Sequence, residues 1–368
     1  MPDLGVRLQL LLGPTIPLPA PYAVMDALVD LEVYNNDTDL DAFRMTFSIG
    51  KDSPLDYGLL TNGYFDVPAR VVIIVLMNAL PQVLIDGIIT HHQVISGRQP
   101  GQSRLIVTGD DFTKKLDLEP KSATFPNQPD SMIVTQLLAN YDGLVPEVME
   151  TTDTPAVTDR VPSQQETDLG CIRRLAKRNG FVFYIEPTEI PTINTAYWGP
   201  DNRLGLHQNA LSQNMGPSTN VDELNFTFDS LAPVTPVITI VEPLTKLPIQ
   251  IPLPTGLNPS LAGIASTPLR KTVPRDAASL SFSEAVRMAL ALITGSSDSV
   301  TGEGKLDALR YGRALRSRRL VDVRGAGRSY DGSYYVQRVT HHLQRGQYDQ
   351  SFTLKRGGQG ATGDQVTV

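Results

Sequence analysis

The sequence predicts a mainly β protein in which a small α+β portion is inserted between two β portions. Short β-rich runs occupy both ends of the chain, and apolar residues change to helical spacing between about 110 and 190. At about 150 residues per domain, 368 residues suffice for two or three domains. We expect a first β domain at 1–109, an α+β domain at 110–190, a second β domain at 191–356 and a flexible tail at 357–368.

Composition excludes several classes of protein. Hydrophobic residues make up 41% and charged residues 19% of the chain, which is typical of a folded protein. A net charge of −7 argues against a chain-wide binder of nucleic acid or of anionic membranes. Cys171 is the single cysteine, so an intrachain disulfide and an all-cysteine metal site are impossible, and a reducing compartment is favoured. We expect no signal peptide, and no membrane span because the apolar runs are too short.

The first β portion is predicted from runs rich in β-branched and aromatic residues. A hairpin is expected at residues 78–81, between two of these runs. The predicted strands are 29–34, 43–49, 71–77, 83–90 and 104–108.

Two helices and a strand are expected in the middle of the chain. Ile133, Leu137 and Tyr141 recur at helical spacing before Gly143. A second amphipathic helix spans 166–180 and ends at Asn179–Gly180, a sequence typical of a left-handed cap. A strand at 181–186 follows at once.

The second β portion is interrupted by a proline-rich arm at 232–274, which holds nine of the 28 prolines. Because proline has no backbone N–H to donate, a stretch this rich in proline cannot form a central strand or a helix. We expect an extended arm or an ordered crossing loop. Further on, the sequence predicts helices at 283–293 and 305–319, and strands at 320–324, 333–343 and 348–355.

An internal repeat links the two ends of the chain. Residues 88–92, IITHH, return 250 residues later as RVTHH at 338–342, and in both copies a glycine-containing turn leads to a β-rich return strand. The repeat predicts two related β domains, one at each end. A chance match of a short string is the alternative.

The sequence predicts no metal or cofactor site. Four of the five histidines lie in these two pairs, but neighbours on a strand face opposite ways and no acid or cysteine has ligand spacing. Gly325-Ala326-Gly327 and Gly304-Lys305 lack the remaining residues of nucleotide-binding motifs. Asp110–Asp111 forms an acid pair for which helix capping or solvation is the simpler interpretation. We therefore predict no catalytic residue, no metal and no cofactor.

Five arginines of the predicted helix at 305–319 are the candidate functional residues. They would contact a neighbouring subunit, line a lumen or touch phosphates, and a solvated helix face is the alternative. Residues 1–160 hold 10 Lys/Arg and 21 Asp/Glu, whereas 301–356 hold 12 and 5, so pairing between subunits is favoured. The candidates are Arg310, Arg313, Arg316, Arg318 and Arg319.

Three strings resemble a known family. SQQETDLGCIRRLAKRNGFVFYIE (163–186) resembles the central domain of phage tail hubs and of type VI secretion spike proteins. LSQNMGPSTNVDELNFTFDSL (211–231) and the stretch from LDALRYGRALRSRRL to SFTLKR (306–356) resemble the phage late control protein D family. The likeness runs from about residue 25 to 356.

The resemblance implies a fold with two tail-tube-like β-barrel domains and a structural, non-enzymatic function. A homotrimer would act as a symmetry adapter in the baseplate, joining a hexameric inner tube to a trimeric spike and contacting other baseplate proteins. The chain resembles a stand-alone hub, made in the bacterial cytoplasm and built into a phage tail or injection particle. Two alternatives stay open: a cell-wall hydrolase component delivered by such a particle, and nucleic-acid contact through the arginines, without sequence specificity.

Overall fold

The structure is a computed structural model, and the description covers most of the chain. The described residues are 5–14, 16–37, 39–50, 58–99, 102–158, 161–201, 203, 205, 207–241, 247–250, 261–273, 282–295 and 298–361. Parts of the predicted proline-rich arm and of the predicted tail (242–246, 251–260, 274 and 362–368) lie outside them.

The first β portion contains all five predicted strands and two that were not predicted. Its elements are β1 (Arg7–Gly13), β2 (Leu18–Pro19), α1 (Tyr22–Ala27), β3 (Leu28–Asn36), β4 (Ala42–Ser48), α2 (Gly58–Thr61), β5 (Arg70–Met77), β6 (Leu80–Ile95) and β7 (Arg104–Asp111).

Two details of this portion bear on the sequence predictions. β1, which the sequence does not predict, pairs with β5 over seven residues. The hairpin between β5 and β6 is confirmed: Asn78 and Ala79 both have positive φ, as a tight turn between twisted strands requires.

The central portion is the predicted α+β insertion. A 3₁₀ helix (Phe112–Asp117) leads into it, and Asp111 caps that helix by accepting from the Thr113 amide, which confirms the capping interpretation for this acid. The elements are β8 (Pro120–Thr124), α3 (Asp130–Leu138), β9 (Leu144–Val148), β10 (Ser163–Thr167), α4 (Asp168–Asn179), β11 (Val182–Pro187) and β12 (Asn194–Gly199).

Its core is separate from that of the sheet. α3 and α4 pack on the strands, Gly180 caps α4 with positive φ as predicted, and Trp198 is fully buried with its indole N–H donating to the Ile172 carbonyl at 3.3 Å. Arg70 and Asp86 of the first portion form a buried ion pair that also bonds Asn194. The insertion is therefore fixed to the sheet beside it.

The second β portion carries the remaining elements. They are β13 (His207–Ser212), a 3₁₀ helix (Gly216–Ser218), β14 (Glu223–Phe228), β15 (Val234–Pro236), β16 (Thr239–Val241), β17 (Pro248–Gln250), β18 (Ile264–Ala265), β19 (Arg270–Thr272), α5 (Phe282–Gly295), β20 (Val300–Asp307), α6 (Ala308–Tyr311), β21 (Leu320–Arg324), β22 (Gly332–Gln344), β23 (Gln347–Arg356) and β24 (Gly358–Gln359). The three predicted C-terminal strands and the helix at 283–293 are confirmed. The described part of the proline-rich arm forms only short strand pairs, and β24 pairs with β18.

The helix predicted at 305–319 is wrong. Residues 300–307 form β20, paired with β14 and β23, and the helix α6 lasts one turn. Gly304 lies where a Cβ would come within 2.6 Å of the Phe352 ring, so the chain needs glycine here to cross an aromatic side chain. Gly312, with φ of +85°, ends α6 and turns the chain into an irregular loop.

One sheet of 13 strands joins the two β portions. Its order is β14-β20-β23-β22-β3-β4-β7-β6-β5-β1-β2; β21 also pairs with β22, and β13 pairs with β21. A single core cluster draws on both ends of the chain, from Leu31 and Phe43 to Val336 and Leu354.

The pairing order repeats within this sheet. The first portion pairs as β3-β4-β7-β6-β5 and the second as β14-β20-β23-β22-β21, every pair antiparallel, with the strands in the same chain order. A one-turn helix follows the second strand of each set, α2 and α6. The predicted relation between the two ends is confirmed. They differ in that β1 runs antiparallel to β5, whereas β13 runs parallel to β21.

The pentapeptides that suggested the repeat occupy equivalent strands, β6 and β22, but not equivalent positions. Each strand has a bulge against its return strand, at Thr90 in the first copy and at Gln337 in the second. Thr90 is the third residue of its pentapeptide, whereas Gln337 precedes the other pentapeptide by one residue. Superposing the bulges therefore shifts the two strings by three residues.

Candidate functional site

The candidate arginines lie in and beside an irregular loop, residues 312–319, which we call the arginine loop. Its backbone is held by glutamine side chains from three strands. Gln82 of β6 accepts from the Ala314 amide at 3.0 Å, Gln350 of β23 bonds both main-chain groups of Leu315, and Gln208 of β13 does the same for Arg316. A loop without regular structure is thereby fixed from three directions.

Arg318 turns inward from this loop. Its side chain is 4% exposed and makes two hydrogen bonds to the Asp41 carboxylate, at 2.9 and 3.1 Å, and one to the Asn36 carbonyl. The guanidinium also stacks over Tyr184 with its carbon 4.5 Å from the ring centroid. Arg318 thus connects the second β portion to the β3–β4 turn and to the central portion.

A buried polar network continues from this ion pair. Asn35 donates to Asp41 at 3.0 Å, and its side-chain oxygen lies 2.9 Å from His341 Nε2. Because the Asn35 oxygen can only accept, His341 donates from Nε2, and its Nδ1 accepts from Gln350 or Tyr348 at 3.1 and 2.7 Å. The imidazole is neutral, and burial together with Arg316 lowers the pKa of His341 to about 3.

Whereas the pKa of His341 is lowered, the pKa values of two aspartates near Arg318 are raised. Asp111 is buried beside Asp41, and burial together with that neighbouring carboxylate raises the pKa of Asp111 well above its ordinary value. Burial and the nearby Asp201 raise the pKa of Asp37 to about 6.

The other four arginines stay nearer to solvent. Arg310 is exposed in α6 and pairs with Asp222. Arg319 contacts Glu186 Oε1 at 3.1 Å, and Arg316 reaches the same oxygen only at 3.9 Å. Arg313 is exposed and has no ion pair or side-chain hydrogen bond within the described part of the chain. Burial lowers the pKa of Arg316 from its ordinary value, and the positive charge of the neighbouring Arg319 adds to this effect.

These side chains border a cleft of about 830 Å³. The arginine loop and β13 form one wall, and β11 with the residues after it forms the other, where Tyr184 and Tyr197 stack with ring centroids 5.0 Å apart. The sequence predicts the arginines as candidates but neither the cleft nor the glutamines that hold the loop, because both arise from segments far apart in the chain.

The histidine pairs do not meet. His91 and His92 are exposed on β6, whereas His341 is buried in the network and His342 lies 3.3 Å from Glu32. Among the described residues no three histidine, cysteine, aspartate or glutamate side chains are grouped to hold a metal ion. No described helix is long and apolar enough to cross a membrane.

Comparison with known proteins places this fold. No protein-family model and no curated protein matches the chain. A tail protein from Neisseria meningitidis MC58 superposes with a TM-score of 0.62 at 13% identity, over 96% of both chains. The 43 kDa tail protein of prophage MuSo2 from Shewanella oneidensis gives 0.61 at 12% identity, over 95% of this chain and 99% of that one.

A type VI secretion protein is also similar. The Escherichia coli c3393 protein, described as a component of that system with structural similarity to the T4 tail proteins gp27 and gp5, gives a TM-score of 0.55 at 14% identity, over 89% of this chain and 73% of that one. The chain therefore has the fold of phage tail proteins and of a type VI secretion component.

Proposed function

We propose that this chain is the structural hub of a contractile injection system or phage tail, acting as a homotrimer that joins a hexameric inner tube to a trimeric spike. The tail-protein fold over nearly the whole chain supports a place in such a particle. The observation that carries the adapter function is the repeated pairing order, since a threefold object presents six similar edges only if each chain contributes two.

The junction between the two β portions suggests how the copies meet. Within one chain, β3 of the first portion pairs antiparallel with the second half of β22, from Asp30↔Gln344 to Asn36↔Arg338. The strands equivalent to these are β14 and the second half of β6. In the described residues β14 pairs only with β20, and residues 90–95 of β6 pair only with β7. Each chain thus keeps one unpaired edge of each kind.

We infer that β14 of one copy pairs with residues 92–95 of β6 in the next. Both edges carry an exposed apolar side chain, Phe228 at 42% and Ile95 at 45%, which such pairing would cover. Applying the β3–β22 register to the equivalent strands, with the bulges aligned, sets Thr227 opposite Gln93 and Asn225 opposite Ile95.

A cysteine pair tests this junction. Opposed residues of an antiparallel pair have Cα atoms about 4.5–5.5 Å apart, which permits a disulfide. In the double variant Thr227→Cys/Gln93→Cys, both positions are exposed and the native Cys171 is buried. We expect oxidation to give a covalent trimer on a non-reducing gel, because three identical links close a ring.

The matched control is Thr227→Cys/His92→Cys, in which the second cysteine moves by one residue and faces the other side of the strand. It should cross-link poorly, as should each single variant. A wild-type chain that stays monomeric in mass photometry at every concentration, and forms no ring on addition of tube protein, would overturn the proposed hub.

We also propose that the function is structural rather than catalytic. Three polar groups whose pKa values are shifted are buried, and each is hydrogen-bonded within the chain: Arg318 to Asp41, Asp111 to the Thr113 amide and His341 to Asn35. A peptidoglycan zymogram should show no cleared band, and clearing that is lost on changing a single acid would contradict this proposal.

A further inference from the structure

Polar side chains close the junction between the two β portions within the chain. Where β3 meets β22, Gln344 donates to Asp30 at 3.1 Å. Arg345, the next residue, donates to an Asp26 carboxylate oxygen at 2.9 Å and also to the Asp26 carbonyl. Asp30 belongs to β3 and Asp26 to the helix α1 just before it. Side chains that leave the end of β22 thus bind acids at the beginning of β3.

The first β portion has an arginine at the position equivalent to Arg345. With the bulges of β6 and β22 aligned, Gln344 corresponds to Gly97 and Arg345 to Arg98. Gln344 ends the pairing of β22 with β23. A Cβ on Gly97 would come within 2.4 Å of the Gln102 Cβ, so Gly97 also faces the opposite arm of its hairpin. Each arginine therefore comes directly after the end of a hairpin arm.

Arg98 differs from Arg345 in that it has no partner in its own chain. Its side chain is exposed and makes no ion pair or side-chain hydrogen bond within the described part of the chain. Gly97 stands where the other portion has Gln344, and it has no side chain that could reach across a junction. Arg98 is therefore the side chain of this hairpin arm that is suited to bind an acid of a neighbouring copy.

The register proposed for β14 and β6 places acids opposite this arginine. That register sets Asn225 opposite Ile95. Continued toward the beginning of β14, it sets Glu223 opposite Gly97 and Asp222 opposite Arg98. The equivalence between the two β portions also assigns Glu223 to the position of Asp30, the acid that binds Gln344 within the chain.

These acids are incompletely neutralised by their own chain. Asp222 forms an ion pair with Arg310. Lys305 lies opposite Glu223 in β20, but its amino group is 3.0 Å from an Asp349 carboxylate oxygen. Glu223 is exposed and, among the described residues, has no ion pair or side-chain hydrogen bond. Three carboxylates thus share two cations, and a guanidinium from outside would balance the third.

We propose that Arg98 of one copy binds the carboxylates of Asp222 and Glu223 in the next copy, as Arg345 binds Asp26 within one chain. The inference rests on the proposed trimer, and it names the charged contact that closes the junction between copies. Because all three side chains are exposed, dissolved salt should weaken the contact.

Charge reversal tests the contact by sedimentation velocity of the full-length protein at about 50 mM salt, where screening is weak. We expect Arg98→Glu and Glu223→Arg each to raise the concentration at which half of the copies are trimeric by at least about tenfold, because three junctions each lose an attraction and gain a repulsion. The double variant Arg98→Glu/Glu223→Arg should recover at least about threefold of that loss.

The matched control is Arg345→Glu, the same change at the equivalent position. The acid that binds Arg345 belongs to the same chain, so this variant should trimerise within about threefold of the wild-type concentration. At about 1 M salt, where charges are screened within about 3 Å, the difference between Arg98→Glu and the wild type should shrink.

Two results would overturn this contact while the proposed hub stands. In one, the wild type forms trimers and Arg98→Glu associates as tightly; in the other, the double variant associates no better than the single variants. A wild type that stays monomeric at every concentration would overturn the contact and the hub together. If a single variant melts at a lower temperature, the double variant decides the case, because damage to the fold cannot restore association.

Discussion

Arg318 has a role that its neighbours in the sequence do not share. Five arginines fall within ten residues, yet only this one enters the interior, where it has a positive φ of 61° and a carboxylate partner from the other end of the chain. Burying a guanidinium is costly unless a partner accompanies it, so Arg318 and Asp41 stabilise the fold only as a pair.

Replacing Arg318 by methionine should lower the free energy of unfolding by about 3–5 kcal/mol, because the Asp41 carboxylate would stay buried without its cation. Urea unfolding followed by circular dichroism measures the loss. Arg345→Met is the matched control: its ion pair with Asp26 is exposed, and we expect a change below about 1 kcal/mol. Equal losses in the two variants would show that the buried pair has no special role.

Asp37 predicts a pH dependence of stability. Its pKa is raised to about 6 in the folded protein, so the folded state binds more protons than the unfolded state between about pH 4 and 6. The protonated carboxyl therefore stabilises the fold at the acidic end of this window, and the contribution is lost as the pH rises through 6.

The variant Asp37→Asn isolates this contribution, since asparagine keeps the shape and does not titrate. The free energy of unfolding of the wild type, minus that of the variant, should fall by about 1–2 kcal/mol from pH 4 to pH 7. His341 titrates in the opposite sense in both proteins and cancels in the difference. A difference that is constant with pH would contradict the raised pKa.

At the scale of elements, the arginine loop shows how an irregular segment is made rigid. Three strands each contribute one glutamine, and a neutral amide can both donate to a carbonyl and accept from an amide of the loop. The recurrence of arginine every third residue favours a helix, but Gly312 ends α6 and the glutamines bond the groups that a helix would use.

Replacing Gln350 by leucine should loosen this loop. Two hydrogen bonds to Leu315 and one contact to His341 would be lost at a buried position, at a cost of about 1–3 kcal/mol. Hydrogen exchange of the Leu315 amide should accelerate at least about tenfold. Gln347→Leu, an exposed change on the same strand, should leave that amide protected, and equal acceleration in both variants would contradict the role of Gln350.

At the scale of the whole molecule, the two β portions and the insertion are stabilised differently. The β portions share one core and one sheet, joined where β3 meets β22, so neither end is complete without the other. The central portion has a closed core of its own that includes Trp198, the only tryptophan of the chain.

We therefore expect residues 112–201 to fold when expressed alone. The fluorescence of Trp198, which is fully buried, should have the blue-shifted emission of a buried indole and should shift to the red cooperatively in urea. An emission like that of the denatured peptide in the absence of urea would show that this portion depends on the sheet. The boundary predicted at residue 190 stays a prediction, although β12 contributes to this core beyond it.

The sequence by itself determined most strands, the two central helices and the relation between the two ends. In a strand that is buried on one face, every second residue points to that face. Tyr348, Gln350, Phe352 and Leu354 share one face of β23, and all four are buried. Only the tertiary structure decided which arginine is buried and where the two pentapeptides lie relative to the bulges. The cleft, too, was visible only in the tertiary structure. These depend on contacts between residues hundreds of positions apart, such as Arg318 with Asp41, and local propensity carries no information about such pairs.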